Sequence, residues 1–206
     1  MKIIPIVEGY GEVDALPVLL RRFQEESESF ALGIGRPIRR HRHQLVHESD
    51  VRKAVRLALL DPDCAAILIV LDADDDCPAE LAPSISAWAS EEAPQVPSAV
   101  VLACREFETW FLASLESLRG NCRIRADAVS PVEPEAIRGA KETLESFMVP
   151  GASYSETVDQ PRMAASFSFS QAYSRSRSFR KLAKAFGHLL SQVGMEIPQW
   201  PPSAWT

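Results

Sequence analysis

Carboxylates gather at three places in this chain where an apolar run stops. The run 2–7 leads into Glu8, Gly9, Tyr10, Gly11 and Glu12. The run 65–71 leads into Asp72, Ala73, Asp74, Asp75 and Asp76, and the run 99–104 is followed by Arg105, Glu106, Phe107 and Glu108. Hard divalent cations such as Mg²⁺ coordinate oxygens of this kind, usually with substrate phosphates completing the shell. If the three runs are parallel strands of one open sheet, their carboxylates meet at the strand ends, where such sheets bind ligands. The chemistry implied is phosphoryl transfer at a metal centre, with Glu8, Glu12, Asp72, Asp74 and Glu108 as candidate ligands. Two metals about 3.5–4 Å apart could activate water on one side and stabilise the leaving oxygen on the other. Crowded like charges would also raise the pKa of one of the acids and fit it for proton transfer. Gly9 and Gly11 would let the backbone turn sharply and approach a phosphate with no Cβ in the way.

Each acid also has a plainer role open to it. Glu8 and Glu12 suit the first turn of a helix, where the dipole favours negative charge. Asp72 and Asp74 could cap the helix that follows them, and Asp75 and Asp76 read as solvated or capping groups. Glu106 and Glu108 are two residues apart, so on a helix they cannot face the same point. Glu106 reads as a cap; Glu108 stands evenly between a ligand and a group that supports the ligands from behind.

The basic residues fall into two groups, Arg36, Arg39, Arg40 and Arg42, and Arg175, Arg177, Arg180, Lys181 and Lys184. Arg40, Arg42, Arg175, Arg177, Arg180 and Lys181 are the candidates for contact with a nucleic-acid backbone. The second group stands equally as the solvated face of a surface helix. His41 and His43 share one face if 36–46 is a strand; with no further zinc ligands in view, they read as exposed residues of a basic strand. The net charge of −6 over 206 residues argues against a protein that coats nucleic acid through its overall field.

The elements that must position these residues follow from periodicity. Strands are expected at 2–7, 36–46, 65–71 and 98–104, alternating with helices from near Asp14 to Glu26, from Ser49 to about residue 60, at 79–91 and at 106–118. Pro17 fits the first helix if Val13 or Asp14 is its N-cap. Strand 65–71 is apolar on both faces, as for a central parallel strand covered by helices on each side. Beyond residue 118 the chain reads as loop and helix, with helices at 135–147, 160–167 and 178–194. The expectation is one globular unit: an α/β core over 1–118, with a parallel sheet and helices on both faces, and a mainly helical C-terminal extension over 119–206 packed on it. Cys64, Cys77, Cys104 and Cys122 show neither zinc-ligand nor disulfide-framework spacing. Trp88 and Trp110 are expected in the core. With no signal-peptide pattern and no apolar run near the roughly 20 residues that span a bilayer, a cytoplasmic location is expected.

The order of these motifs resembles the Toprim domain of topoisomerases, primases and certain nucleases: Val7-Glu8-Gly9 after a first strand, then Asp72-Ala73-Asp74 after a later one. That resemblance covers roughly the first 118 residues and implies a Toprim-like, Rossmann-like fold. It also implies that Glu8, Asp72 and Asp74 bind Mg²⁺ or Mn²⁺, with Glu8 doubling as the acid–base group in phosphodiester chemistry. Glu12, four residues after Glu8, is similar to a second glutamate of the overcoming-lysogenization-defect nucleases, where it joins a two-metal site. The whole chain resembles a stand-alone bacterial Toprim-like family, the domain of unknown function 4276. The residues that carry this are 106–110, 157–161 and 175–179. A metal-dependent nuclease is therefore expected. No G-x-x-x-x-G-K-[ST] pattern is present, so by analogy a separately encoded ATPase could serve as partner, in defence against phage. Topoisomerase and primase activities are not expected, for want of a strand-gate domain and a zinc module. The rival expectation is a non-catalytic effector that keeps the fold and acts through a protein partner.

Overall fold

A computed structural model describes residues 1–197 and 199–205. Its sheet is entirely parallel, in the order Gly33–Ile34 (β2), Lys2–Val7 (β1), Cys64–Asp72 (β4) and Ser98–Ala103 (β5), with Ile38–Arg39 (β3) also on β1. Strand β1 is Lys2–Val7, and helix α1, Tyr10–Ser27, follows it after two residues. Strands β2, Gly33–Ile34, and β3, Ile38–Arg39, lie against the start and the end of β1, with Lys2 opposite Gly33 and Ile6 opposite Ile38. They form one edge strand broken at Pro37, which has no N–H to give to a ladder.

The expected strand 36–46 is therefore only partly present. Residues Arg42–Leu45 form the one-turn helix α2, in which the His41 amide donates to the Gln44 side chain at 3.1 Å. The arginines and histidines of 39–43 present no buried face, so nothing holds the segment extended beyond Arg39. Helix α3, Glu48–Ala58, leads to β4, Cys64–Asp72; helix α4, Pro78–Glu92, leads to β5, Ser98–Ala103.

Period two sorts the strand residues onto two faces. Leu68 and Val70 of β4 join Ile3, Val101 and the α1 residues Leu16, Leu19, Leu20 and Phe23 on one side. Ile67, Ile69 and Leu71 join Ile4, Ile6 and the residues Val51, Val55 and Ile85 of α3 and α4 on the other. Each fully buried Leu, Ile or Val contributes about 1.5–3 kcal/mol relative to exposure. Trp110 is fully buried, and Trp88 packs at the rim of the second cluster.

Helix α1 starts four residues earlier than its pattern implies, so Pro17 lies in its interior rather than its first turn. The lost hydrogen bond costs up to about 3 kcal/mol; burial of Pro17 with the Leu16–Phe23 stripe offsets it. The expected helix 106–118 is a short α5, Thr109–Leu112, followed by a 3₁₀ turn at Leu115–Leu118. Between them the Ser114 hydroxyl donates back to the Trp110 and Phe111 carbonyls, at 3.1 and 3.4 Å, and bends the chain. The expected helix 135–147 divides likewise into a 3₁₀ turn, Pro134–Ala136, and α6, Ala140–Ser146, separated by the left-handed Gly139.

The remaining helices are α7, Glu156–Ala164; α8, Phe169–Arg175; and α9, Arg177–Gln192. Helix α8 lies where no helix is expected, and the run Ser174-Arg175-Ser176-Arg177-Ser178 holds the joint between α8 and α9. There the Ser176 hydroxyl accepts from the Phe179 amide at 3.0 Å and caps α9. Phe167, Phe169, Phe179 and Phe186 pack into the same cluster as Phe23 and β1, so the C-terminal region supplies part of the helical layer on that face of the sheet. Among the described residues, no helix is long and apolar enough to cross a membrane.

Candidate functional site

The carboxyl ends of β1, β4 and β5 are adjacent, and the acids that follow them are brought together there. Asp72 is the last residue of β4 and only 7% exposed; its side chain accepts from the Phe107 amide at 2.8 Å, which ties β4 to the segment after β5. The Asp72 amide in turn donates to Glu8 at 3.3 Å. Glu12, 5% exposed, turns back along α1 and accepts from the Glu8 and Gly9 amides at 3.1 and 2.6 Å. This satisfies amides that the first helical turn leaves free. Glu108 is fully buried at the N-terminal edge of α5, where the Tyr154 hydroxyl and the Gln160 amide both donate to its Oε1, at 2.8 and 2.7 Å. Its Oε2 is buried without a hydrogen-bond partner among the described residues.

Helix α7 delivers Gln160 because it crosses α1 at very close range. A Cβ on Gly11 would lie 2.2 Å from the Gln160 side chain and 2.9 Å from the Glu156 carbonyl oxygen. Gly11 therefore admits another helix. It is buried, and neither Gly9 nor Gly11 has a positive φ, so the sharp turn expected of them is not what they supply.

Four carboxylates this close and this buried resist ionisation. Burial, then the charges of Glu12, Glu108 and Glu8, pushes Asp72 well above the usual carboxylate range. Burial lifts Glu12 and Glu108 to about 7 each; the Gly9 amide moderates the first and Lys141 the second. Glu8 is raised more mildly, again by burial, with the Asp72 amide opposing. Lys141, in the first turn of α6, is the cation whose charge reaches all four of these acids. Its ammonium pairs with Glu156 at 2.6 Å, and despite partial burial its pKa is raised by that bond and by the field of Glu108.

The other expected site residues are placed differently. Asp74 has a left-handed backbone, and its half-exposed side chain pairs with Arg42 at 2.8 Å; its charge still reaches Glu8. Arg42 is engaged within the protein: it also pairs with Asp76 at 2.6 Å and donates to the Asp72 and Ala73 carbonyls, holding the 72–76 loop in place. Glu106 does cap a helix, but through the Ala140 and Lys141 amides of α6 and not at the start of the helix that follows it in the chain. Arg175 pairs with Glu116 at 2.7 Å, and Arg180 donates to the Tyr173 and Ser174 carbonyls at the end of α8. Arg40 reaches the Arg39 carbonyl at 2.9 Å. Arg177 and Lys181 line a groove along β5, apart from the four acids.

Lys141, Tyr154, Glu156 and Gln160 stand around the acids without belonging to any acidic or basic cluster of the sequence. Lys141 carried one usable signal, since a lysine in the first turn of a helix opposes the dipole and needs another reason to be there. A second feature is also new. The Arg39 guanidinium lies over the exposed Tyr10 ring at 3.8 Å and reaches the Glu8 carbonyl at 3.5 Å, while the His41 and His43 rings stack at 5.7 Å. The two histidines are neighbours by way of α2 rather than along a strand.

Among the described residues, no three His, Cys, Asp or Glu side chains are disposed around a single cation position. The donor chemistry nonetheless suits a hard divalent ion. In Glu8, Glu12, Asp72 and Glu108 alike, the hydrogen bonds from other described residues engage one carboxylate oxygen and leave the second free. Side-chain rotation would have to bring those free oxygens together.

The family model described as "Domain of unknown function (DUF4276)" matches residues 7–186. The chain belongs to this family. No curated protein and no solved structure matches it. The matched span runs from the end of β1 into α9, so it contains every group of the acidic cluster together with Lys141 and helix α7.

Proposed function

We propose that this chain is a Toprim-like phosphodiesterase that hydrolyses nucleic acid with Mg²⁺ or Mn²⁺. The observation that carries the reading is the meeting of Glu8, Glu12, Asp72 and Glu108 at three adjacent strand ends, with burial holding their pKa values high and Lys141 as the neighbouring cation. Glu8, Glu12, Asp72 and Glu108 would hold the metal, with Asp74 joining if it leaves Arg42. The bound ion would lower the pKa of a water and stabilise charge on the phosphate. Glu8, the most weakly shifted and the least buried of the four, would be the proton acceptor for the attacking water. Lys141 sits where it can draw a phosphate oxygen towards the acids and offset their repulsion. Tyr10 with Arg39, and Arg40 beyond them, flank Glu8 as the surface for a nucleic-acid strand, by base stacking and phosphate contact. The Toprim resemblance suggests phage defence with a separately encoded ATPase as the setting.

One set of contacts favours a second reading, a non-catalytic subunit that acts through a protein partner. Glu12 and Asp72 accept hydrogen bonds that hold α1 and the 104–108 segment, and Arg42 occupies Asp74, so the acids also serve the fold. Incubating the pure protein with Mg²⁺ or Mn²⁺ and plasmid, single-stranded DNA, transfer RNA and ribosomal RNA separates the two. Cleavage of at least one substrate, lost in Asp72→Asn, is expected. No cleavage of any substrate with either metal would leave the subunit reading standing.

A further inference from the structure

β5 is the last strand of the sheet, and its outer edge is open to a groove of about 790 Å³. In a parallel ladder, alternate residues of a strand direct both backbone groups to the same neighbour. Ile67 and Ala73 of the β4 segment donate to the Pro97 and Ala103 carbonyls at 2.9 Å each, and Ile67 is in register with Ser98. Residues 97, 99, 101 and 103 therefore face β4, and the N–H and C=O groups of Ser98, Val100 and Leu102 face the groove. Val100 and Leu102 are buried, and the Ser98 hydroxyl is buried with no partner among the described residues. Buried backbone groups almost always have partners, so a row of them turned towards a cavity is the template for another strand.

The walls define what would pair there. One is the α4 stripe of Ala79, Ala82 and Ser86. The other is the α9 stripe of Arg177, Lys181 and His188, which repeats at helical spacing and whose side chains make no hydrogen bond or ion pair with any described residue, although the Arg177 backbone amide donates to Glu135. The carboxylate in the lining, Glu135, already accepts from Ser176 and Ser178 at the start of α9. The groove thus offers apolar surface on one side and free positive charge on the other. A second copy of this chain paired edge to edge would bring two sets of Arg177 and Lys181 together.

We propose that the free edge of β5 receives an extended segment of a partner protein as an added strand, with apolar residues towards α4 and acidic residues towards Arg177 and Lys181. Main-chain bonds to Val100 and Leu102 would supply affinity, and the alternation of side chains would supply selectivity. The proposal does not rest on the metal-dependent activity.

A random ten-residue peptide library selected against the full chain tests it. Enriched peptides should alternate apolar residues with Asp or Glu, and their binding should slow hydrogen exchange at the Val100 and Leu102 amides. Val100→Pro removes an outward donor without touching the β4 ladder, and should weaken a selected peptide at least tenfold. Arg177→Glu with Lys181→Glu, both on an exposed helix face, should do the same for acidic peptides and keeps the test open if the proline variant does not fold. No enrichment would overturn the proposal. So would enriched peptides that leave the two amides unprotected, or binding indifferent to the double charge reversal.

Discussion

The amide of Asp72 donates to the carboxylate of Glu8 at 3.3 Å, so the ends of β1 and β4 are joined through two of the acids proposed to hold metal. The bond uses one Glu8 oxygen and the backbone of Asp72, leaving the second Glu8 oxygen and the Asp72 oxygen that Phe107 does not engage available. With the two strand ends fixed to each other, rotation of the two side chains is what would bring those free oxygens onto one cation. Mn²⁺ titrated calorimetrically into the protein should therefore bind at least tenfold more weakly to Glu8→Gln and to Asp72→Asn than to the parent. Identical affinities in all three would remove the site from this part of the sheet.

The pKa values near 7 at Glu12 and Glu108 make stability depend on pH in a defined direction. Both are raised from 4.5, so the folded chain binds more protons than the unfolded chain between about pH 4.5 and 7. Their contribution is complete below about 4.5 and is lost as pH rises through 7. Glu108→Gln keeps the acceptor for Tyr154 and Gln160 but removes the charge. In EDTA its melting midpoint should exceed that of the parent by a few degrees at pH 8, and match it at pH 5. For a chain of this size, about 1 kcal/mol corresponds to about 2–4 °C. A lower midpoint at both pH values would make Glu108 a structural carboxylate.

The strand ends, and with them Glu8, Asp72 and Glu108, are legible in the sequence because β1, β4 and β5 are buried runs and carboxylates end them abruptly. What stands around those acids is not legible. Lys141 and Gln160 reach Glu108 only through the packing of α6 and α7, and the fit of α7 depends on the absence of a Cβ at Gly11. No local pattern encodes a contact between residues 11 and 160. Local signals also misled where two physical terms compete. Pro17 marks a helix start by propensity, yet it is buried in the middle of α1. The alternation in 39–43 resembles a strand, yet it has no face to bury. The charge count in 175–181 could not distinguish cations that cap helices from cations that face solvent.

That distinction can be measured. Arg175 pairs with Glu116, and against the burial that raises it, the Ser130 hydroxyl and Arg175 hold that acid down to about 2. A lowered carboxylate stabilises the fold above its unfolded value of 4.5 and loses that contribution as pH falls through 2. Arg175→Ala should therefore destabilise the chain at pH 7 by about 1 kcal/mol, the upper end for a partly exposed ion pair, and by less at pH 3. Its nucleic-acid affinity should not change. Arg39→Ala, which strips the guanidinium from the Tyr10 ring, should instead weaken binding several-fold and reduce the salt slope by about one. The reverse pattern would place the nucleic-acid surface at the joint between α8 and α9.

Lys141 offers the sharpest separation of catalysis from fold. Its raised pKa means that it is charged throughout the neutral range, and that its stabilising contribution fades only as pH rises past 10.5. The acids it faces ionise within that range, so Lys141→Met leaves their repulsion unopposed at pH 8 but matters less at pH 5, where Glu12 and Glu108 are mostly protonated. In EDTA the variant should melt several degrees below the parent at pH 8, with a smaller gap at pH 5. With Mn²⁺ supplying the positive charge, the gap at pH 8 should narrow. If cleavage is found, it should remain at least a hundredfold lower in Lys141→Met with saturating Mn²⁺, because the metal restores charge balance and not the contact to a phosphate oxygen. Lys141→Arg should recover stability, and should recover activity only in part, since a planar guanidinium cannot replace a compact ammonium at a crowded site. Full activity in Lys141→Met once Mn²⁺ has restored its melting midpoint would confine Lys141 to a structural role.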